Sequence, residues 1–112
     1  MTRFVEVVEV AKVARLRARQ AVTVQAPHGP VAIFDVRGHV FALQAHCIRC
    51  TSRLAAGALA GYTLSCPRCG WRYDVRTGEV VGIPSLRLEM YAVRIAGASV
   101  MLGDTFLPRK RS

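Results

Sequence analysis

The 112-residue sequence predicts an all-β fold, an antiparallel sandwich or barrel, on three observations. Short apolar stretches recur about every ten residues, several alternate apolar with polar at period two, and turn-forming residues separate them.

The elements follow in order. Phe4-Val5-Glu6-Val7 alternates as a half-buried strand does. Val10 to Gln20 is rich in helix formers, yet Arg15, Arg17 and Arg19 alternate with Leu16 and Ala18 as on an edge strand, and both assignments stand. Ala21 to Gln25 reads as a strand, broken by Pro27-His28-Gly29-Pro30. Val31 to Val36 and Val40 to Ala45 read as a hairpin joined by Arg37-Gly38-His39. Leu54 to Gly61 is alanine-rich but interrupted by Gly57 and Gly61, which favours a compact loop. Trp71 to Val75, the Thr77-Gly78 turn, Tyr91 to Ile95, a turn at Gly97 and Ser99 to Leu102 complete the series. Pro108 to Ser112, with Arg109-Lys110-Arg111, reads as a solvated end. The expectation is one domain over residues 1–112, with no repeat and no low-complexity segment.

A chain that is 52% hydrophobic has too much to bury to be a disordered basic tail. The longest uncharged stretch, Leu54 to Pro67, falls short of the roughly 20 apolar residues a membrane span needs. Arg3, Glu6, Glu9 and Lys12 interrupt any signal-peptide core, so the expected location is cytoplasmic, without a membrane association. Sixteen basic against seven acidic residues give a formal charge of +9, and fourteen of the sixteen are arginine. That balance fits an acidic protein partner, nucleic acid or a soluble surface. With 7% aromatics and no nucleic-acid-binding motif, nucleic acid ranks behind a protein.

The chemistry concentrates in the cysteines. Cys47-Ile48-Arg49-Cys50 is followed, after fifteen residues, by Cys66-Pro67-Arg68-Cys69-Gly70. Two Cys-x-x-Cys turns at this separation match four-cysteine zinc sites. Each turn offers two sulfurs as one edge of a tetrahedron, and the second turn closes it with metal–sulfur bonds of about 2.3 Å. Four thiolates on a divalent ion leave a charge of about −2, which Arg49, Arg53, Arg68, Arg72 and Arg76 are placed in sequence to offset. Inert buried thiols would rarely pair in this way. A Cys50–Cys69 disulfide is disfavoured without an export signal. A thioredoxin-like motif would need a helix that neither turn opens. His46 adjoins Cys47 but reads as an ordinary loop residue, and His28 and His39 lie in expected turns. The candidate ligands are therefore Cys47, Cys50, Cys66 and Cys69. Four thiolates saturate a tetrahedral ion, the carboxylates show no catalytic pairing, and there is no nucleophile motif, so no enzyme is expected.

From Val31 onward, about three-quarters of the chain, the sequence resembles the Rieske ferredoxin-type proteins. Val40-Phe41-Ala42-Leu43 leads into Cys47, and Leu54, Gly57, Leu59 and Gly61 keep the spacing between the loops. Cys66-Pro67-Arg68-Cys69-Gly70-Trp71-Arg72-Tyr73-Asp74-Val75-Arg76-Thr77-Gly78 reproduces the second loop, and Pro84 and Tyr91-Ala92-Val93 follow. The resemblance implies a Rieske-type antiparallel β-sandwich with a small rubredoxin- or zinc-ribbon-like metal lobe near residues 45–83. It also implies an electron-transfer role serving an oxygenase or other oxidoreductase system, with an oxygenase or reductase as partner. The family holds a [2Fe–2S] cluster with Cys₂ on one iron and His₂ on the other. Cys47 and Cys66 keep the cysteine positions, Arg49 stands at the first histidine position with Cys50 beside it, and Cys69 stands at the second. An all-cysteine [2Fe–2S] centre would move toward roughly −400 mV and lose the imidazole protons that link potential to pH. Spacing favours a single ion, zinc or mononuclear iron, and the resemblance favours the cluster. The alternative role is a non-redox, zinc-stabilised module binding an acidic protein or nucleic acid.

Overall fold

The computed structural model describes residues 4–8, 21–26, 29–96 and 99–106. In chain order the strands are β1 (Phe4–Val8), β2 (Ala21–Ala26), β3 (Gly29–Val36), β4 (His39–Gln44), β5 (Ala58–Ala60) and β6 (Thr63–Ser65). They continue as β7 (Arg72–Asp74), β8 (Glu79–Val80), β9 (Ile83–Arg87), β10 (Met90–Ala96) and β11 (Ser99–Phe106). They form a six-stranded sheet, β1-β11-β10-β4-β3-β2, and a five-stranded sheet, β5-β6-β7-β8-β9. Every pairing is antiparallel, as the all-β expectation requires. Edge strands β1 and β2 of the larger sheet lie side by side, so that sheet curls toward closure.

The unbroken apolar run in β3 has a direct cause. Successive strand residues point to opposite faces, and both faces of β3 are covered. Ala32, Phe34 and Val36 join Leu43, Leu54, Leu64, Tyr73 and Val75 in a cluster between the two sheets. Val31 and Ile33 join Val24, Ala42, Tyr91 and Leu102 inside the curl. Side chains such as Phe34, Leu43, Leu54 and Leu64 are fully buried, each contributing about 1.5–3 kcal/mol from area alone. Cys47 and Cys66 belong to the inter-sheet cluster, which places the two cysteine loops on the core.

The expected hairpin is present with a tighter turn: Arg37-Gly38 alone connects the strands, and His39 pairs with Val36. Both turn residues have positive φ (52° and 88°), as a two-residue hairpin turn demands, and Asp35 accepts the Gly38 amide at 2.9 Å. The segment expected to be a compact loop, Leu54 to Gly61, instead contains a 3₁₀ turn over Leu54–Ala56 and then β5. Thr77-Gly78 turns as expected: both amides donate to the Asp74 carbonyl, and a Cβ at Gly78 would meet the Leu88 carbonyl oxygen at 2.7 Å. Val10–Gln20, Gly97 and the 108–112 tail lie outside the described residues. Among the described residues, no helix is long and apolar enough to cross a membrane.

Candidate metal centre

Two loops of the same design meet at one end of the small sheet. The first leaves β4 and is closed at its base by a bridge between His46 and Arg53, with the Leu54 amide donating to the Ala45 carbonyl at 2.9 Å. The second connects β6 to β7 across the Ser65–Arg72 pair. Within the first loop the Cys47 amide donates to the Ser52 carbonyl (2.9 Å), and the Cys47 carbonyl accepts from the Thr51 amide (3.0 Å). Within the second the Cys66 amide donates to the Trp71 carbonyl (2.8 Å), and the Cys66 carbonyl accepts from the Gly70 amide (3.1 Å). The residue four places after each leading cysteine is left-handed: Thr51 at φ 61° and Gly70 at φ 78°. The two Cys-x-x-Cys segments are thus repeated knuckles in three dimensions as well as in sequence.

The knuckles bring all four predicted cysteines together. Their sulfur atoms lie within 4.8 Å of one another, and among the described residues no histidine belongs to the group. Cys47 Sγ is 3.7 Å from Cys69 Sγ, and Cys50 Sγ is 3.4 Å from Cys66 Sγ. Cys47 and Cys66 are buried, while Cys50 and Cys69 are half-exposed. All four are free thiols, so no disulfide joins the loops. Four such sulfurs can hold a metal.

A single ion and a binuclear cluster call for different sulfur spacings. Around one ion with bonds of about 2.3 Å, four sulfurs stand about 3.8 Å apart. Two irons sharing two sulfides make edge-sharing tetrahedra, whose outer corners stand about 5.3 and 6.5 Å apart across the cluster. The observed limit of 4.8 Å lies below both values. Among the described residues no imidazole joins the sulfurs, so the Cys₂His₂ ligand set of a Rieske cluster is not assembled here.

Tyr73, which the sequence reading left without a role, completes the site. Its side chain is fully buried, and its hydroxyl lies 3.1 Å from Cys47 Sγ. The Ile48 amide donates to that oxygen at 3.3 Å, which leaves the phenolic hydrogen free to point at the sulfur. The signal available in sequence was the aromatic residue three places after Gly70. The Arg49 amide also donates to Cys47 Sγ, at 3.4 Å. Burial pushes the Cys47 thiol up, but the Tyr73 hydroxyl and the amides of Cys50 and Arg49 outweigh it, with help from the Cys69 thiol, and bring it down to about 6. Cys66 is also lowered: burial opposes ionisation, while the Cys69 and Arg68 amides favour it. At Cys50 the Ser52 amide favours ionisation, but desolvation and the neighbouring cysteines prevail and push it up to about 11. Burial, then the bond to Cys47, raises Tyr73.

The arginines sort into two kinds. The Arg49 guanidinium lies over the Trp71 ring, 5.4 Å from its centroid. Arg49, Arg53, Arg68 and Arg72 are exposed in or beside the loops. Arg76 turns away, making a two-pronged contact with Asp74 (3.0 and 2.9 Å) beneath which Tyr62 lies at 4.6 Å. His46 contributes its backbone to the first loop, not its ring to the sulfur group.

Known proteins place this arrangement. Residues 6–92 match the family model of the Rieske [2Fe-2S] domain. The ferredoxin component of the naphthalene 1,2-dioxygenase system of Pseudomonas aeruginosa is 32% identical over 73 residues, 64% of this chain and 70% of that one. The ferredoxin component of the 2,4-dinitrotoluene dioxygenase system of Burkholderia sp. (strain RASC) is 31% identical, over 62% of this chain and 68% of that one. Both relatives are ferredoxin components, electron carriers and not catalytic enzymes. The ferredoxin of Sphingomonas yanoikuyae B1 superposes with a TM-score of 0.76 at 22% identity, covering 92% of this chain and all of that one. A chain from the oxygenase–ferredoxin complex of carbazole 1,9a-dioxygenase reaches 0.80 at 18% identity, covering 95% of this chain and 97% of that one. On fold, loop placement and sequence match alike, this chain belongs to the Rieske [2Fe-2S] domain family.

Proposed function

We propose that this protein is a small electron-transfer component of an oxygenase or related oxidoreductase system, carrying one iron ion on the thiolates of Cys47, Cys50, Cys66 and Cys69. The role rests on its relatives, ferredoxin components of dioxygenase systems. The single ion rests on the sulfur spacing, none beyond 4.8 Å, which suits one tetrahedron and not two sharing an edge. Zn²⁺ has no redox chemistry, so an electron carrier needs iron, which when bound cycles by one electron between ferric and ferrous. Cytoplasmic residence agrees with four reduced cysteines.

The protein's own groups set the conditions. Reduction adds a negative charge to an already anionic centre. The Tyr73 hydroxyl and the Arg49 amide, both aimed at Cys47 Sγ, stabilise that charge and raise the potential. The buried sulfurs of Cys47 and Cys66 face the core, so the half-exposed Cys50 and Cys69 are the route toward solvent and a partner. The exposed arginines favour an oxygenase or reductase that presents an acidic docking surface.

The same sulfur geometry accepts Zn²⁺ at the same bond length. A zinc-loaded chain would be a non-redox module recognising an acidic protein. An absorption spectrum with metal analysis of anaerobically purified protein separates the readings. About one iron per chain, with visible bands bleached by dithionite, is expected. A colourless zinc protein would transfer the assignment to the second reading.

A further inference from the structure

Three features outside the thiolate shell converge on the metal end of the small sheet. The first is hydrophobic exposure. Ile48, Val81, Ile83 and Leu86 are the exposed large apolar residues among those described, at 39–46% accessibility, and three of the four sit at this end. Ile48 lies in the first knuckle, its amide tied to Tyr73. β7 starts where the second knuckle ends, and the Val81 amide donates to the Arg72 carbonyl at 2.9 Å. Val80 pairs with both Tyr73 and Ile83. The Val81-Gly82 turn therefore stands beside the cysteine loops, and only Leu86 lies farther along β9.

The second feature is charge. No aspartate or glutamate occurs between Asp35 and Asp74, a stretch that contains both knuckles. Asp74 and Glu79 occupy the opposite end of the small sheet, at the far end of β7 and the start of β8. Glu89 acts electrostatically on Tyr91 in the larger sheet. Arg49, Arg53, Arg68 and Arg72 are left as the exposed charges in or beside the loops. The third feature is order. Arg49 is held over Trp71, so less side-chain freedom remains to be lost on binding.

Arginine is enriched at protein interfaces, and here Arg49 is already ordered over Trp71 beside exposed aliphatic side chains. We propose that Ile48, Val81 and Ile83, together with Arg49, Arg68 and Arg72, form one docking face for an acidic protein surface. This builds on the electron-transfer reading and adds the β8–β9 turn as a contact separate from the loops that carry the cysteines. The occupant is an acidic protein because the segments that form the face, residues 46–73 and 80–86, carry arginines and no carboxylate, and its aliphatic residues need apolar cover.

The test uses zinc-loaded, nitrogen-15-labelled protein and the inert paramagnetic trianion hexacyanochromate(III). Amide broadening is expected to concentrate at residues 48–53, 68–72 and 81–83 and to fade with added salt. Arg49→Gln should weaken the association about threefold at low ionic strength. Val81→Glu, at an exposed position outside the knuckles, should weaken it by a similar factor, because its carboxylate would enter the same face. Broadening centred on Arg37, Arg87 or Arg94, or a Val81→Glu protein that binds as the parent does, would overturn the proposal. The titration needs no redox activity, so the lack of a reducible centre would remove the electron-transfer reading without altering this result.

Discussion

Thr51 is the structural counterpart of Gly70. Each follows its leading cysteine by four residues, each donates its amide to that cysteine's carbonyl, and each is left-handed, at φ 61° and 78°. Glycine enters this region freely, whereas a β-branched residue is strained there. Thr51 recovers part of that strain through its hydroxyl, which donates to the Cys50 carbonyl at 2.6 Å.

Thr51→Gly should therefore stabilise the protein by about 0.5–1 kcal/mol, less than the full strain because the hydroxyl bond is lost. Gly70→Ala should destabilise it by about 1 kcal/mol: a Cβ there meets nothing within 4 Å, so backbone conformation is the whole cost. Urea unfolding of the two variants beside the parent measures both signs.

Tyr73→Phe removes the hydroxyl from Cys47 Sγ and leaves the Ile48 amide without its acceptor. In the iron-loaded protein the reduced, more negative state loses more than the oxidised state. A differential of about 1 kcal/mol lowers the potential by on the order of 40 mV for one electron. Voltammetry of the variant against the parent reads the shift, and an unchanged or higher potential would rule out this role for Tyr73.

Removing the metal should loosen the knuckles before the framework. Cys47 and Cys66 enter the inter-sheet cluster from the loops, whereas Val31 to Phe34 are buried between strands β2 and β4. After chelation, hydrogen exchange should speed up by at least tenfold at residues 47–52 and 66–71 and change little at Val31 to Phe34. Cys50→Ser and Cys69→Ser should each produce the same local loosening without a chelator.

Asp74 supplies a pH dependence with a defined sign. The Arg76 side chain, first through its hydrogen bonds, holds the Asp74 carboxyl below its ordinary value despite partial burial. The stabilisation is complete above the unfolded carboxyl value near 3.9 and is lost as pH falls through the depressed folded value. Asp74→Asn should flatten the fall in stability below about pH 5 relative to the parent, as measured by unfolding midpoints.

The features legible in sequence are those with a short-range cause. Val31 to Ala45 declares its hairpin through two apolar runs and an Arg-Gly turn, and the paired knuckles declare themselves through cysteine spacing. The loss came where tertiary pairing decides. Ala58–Ala60, Thr63–Ser65, Glu79–Val80 and Ile83–Arg87 are two to five residues long, too short for a period-two pattern to stand out, and they become strands by pairing with one another and with β7. Leu54–Ala56 tightens into a 3₁₀ turn because Leu54 must reach the inter-sheet cluster just after the first loop closes. The four cysteines were identifiable as a set from sequence, but the Tyr73 hydroxyl was not, since its partner is 26 residues away.

X-ray absorption at the metal edge of the purified protein tests the single-ion centre most directly. One shell of four sulfurs at about 2.3 Å, with no second metal nearby, is the expected result. A metal–metal distance of about 2.7 Å, the separation that edge-sharing tetrahedra impose, would contradict it.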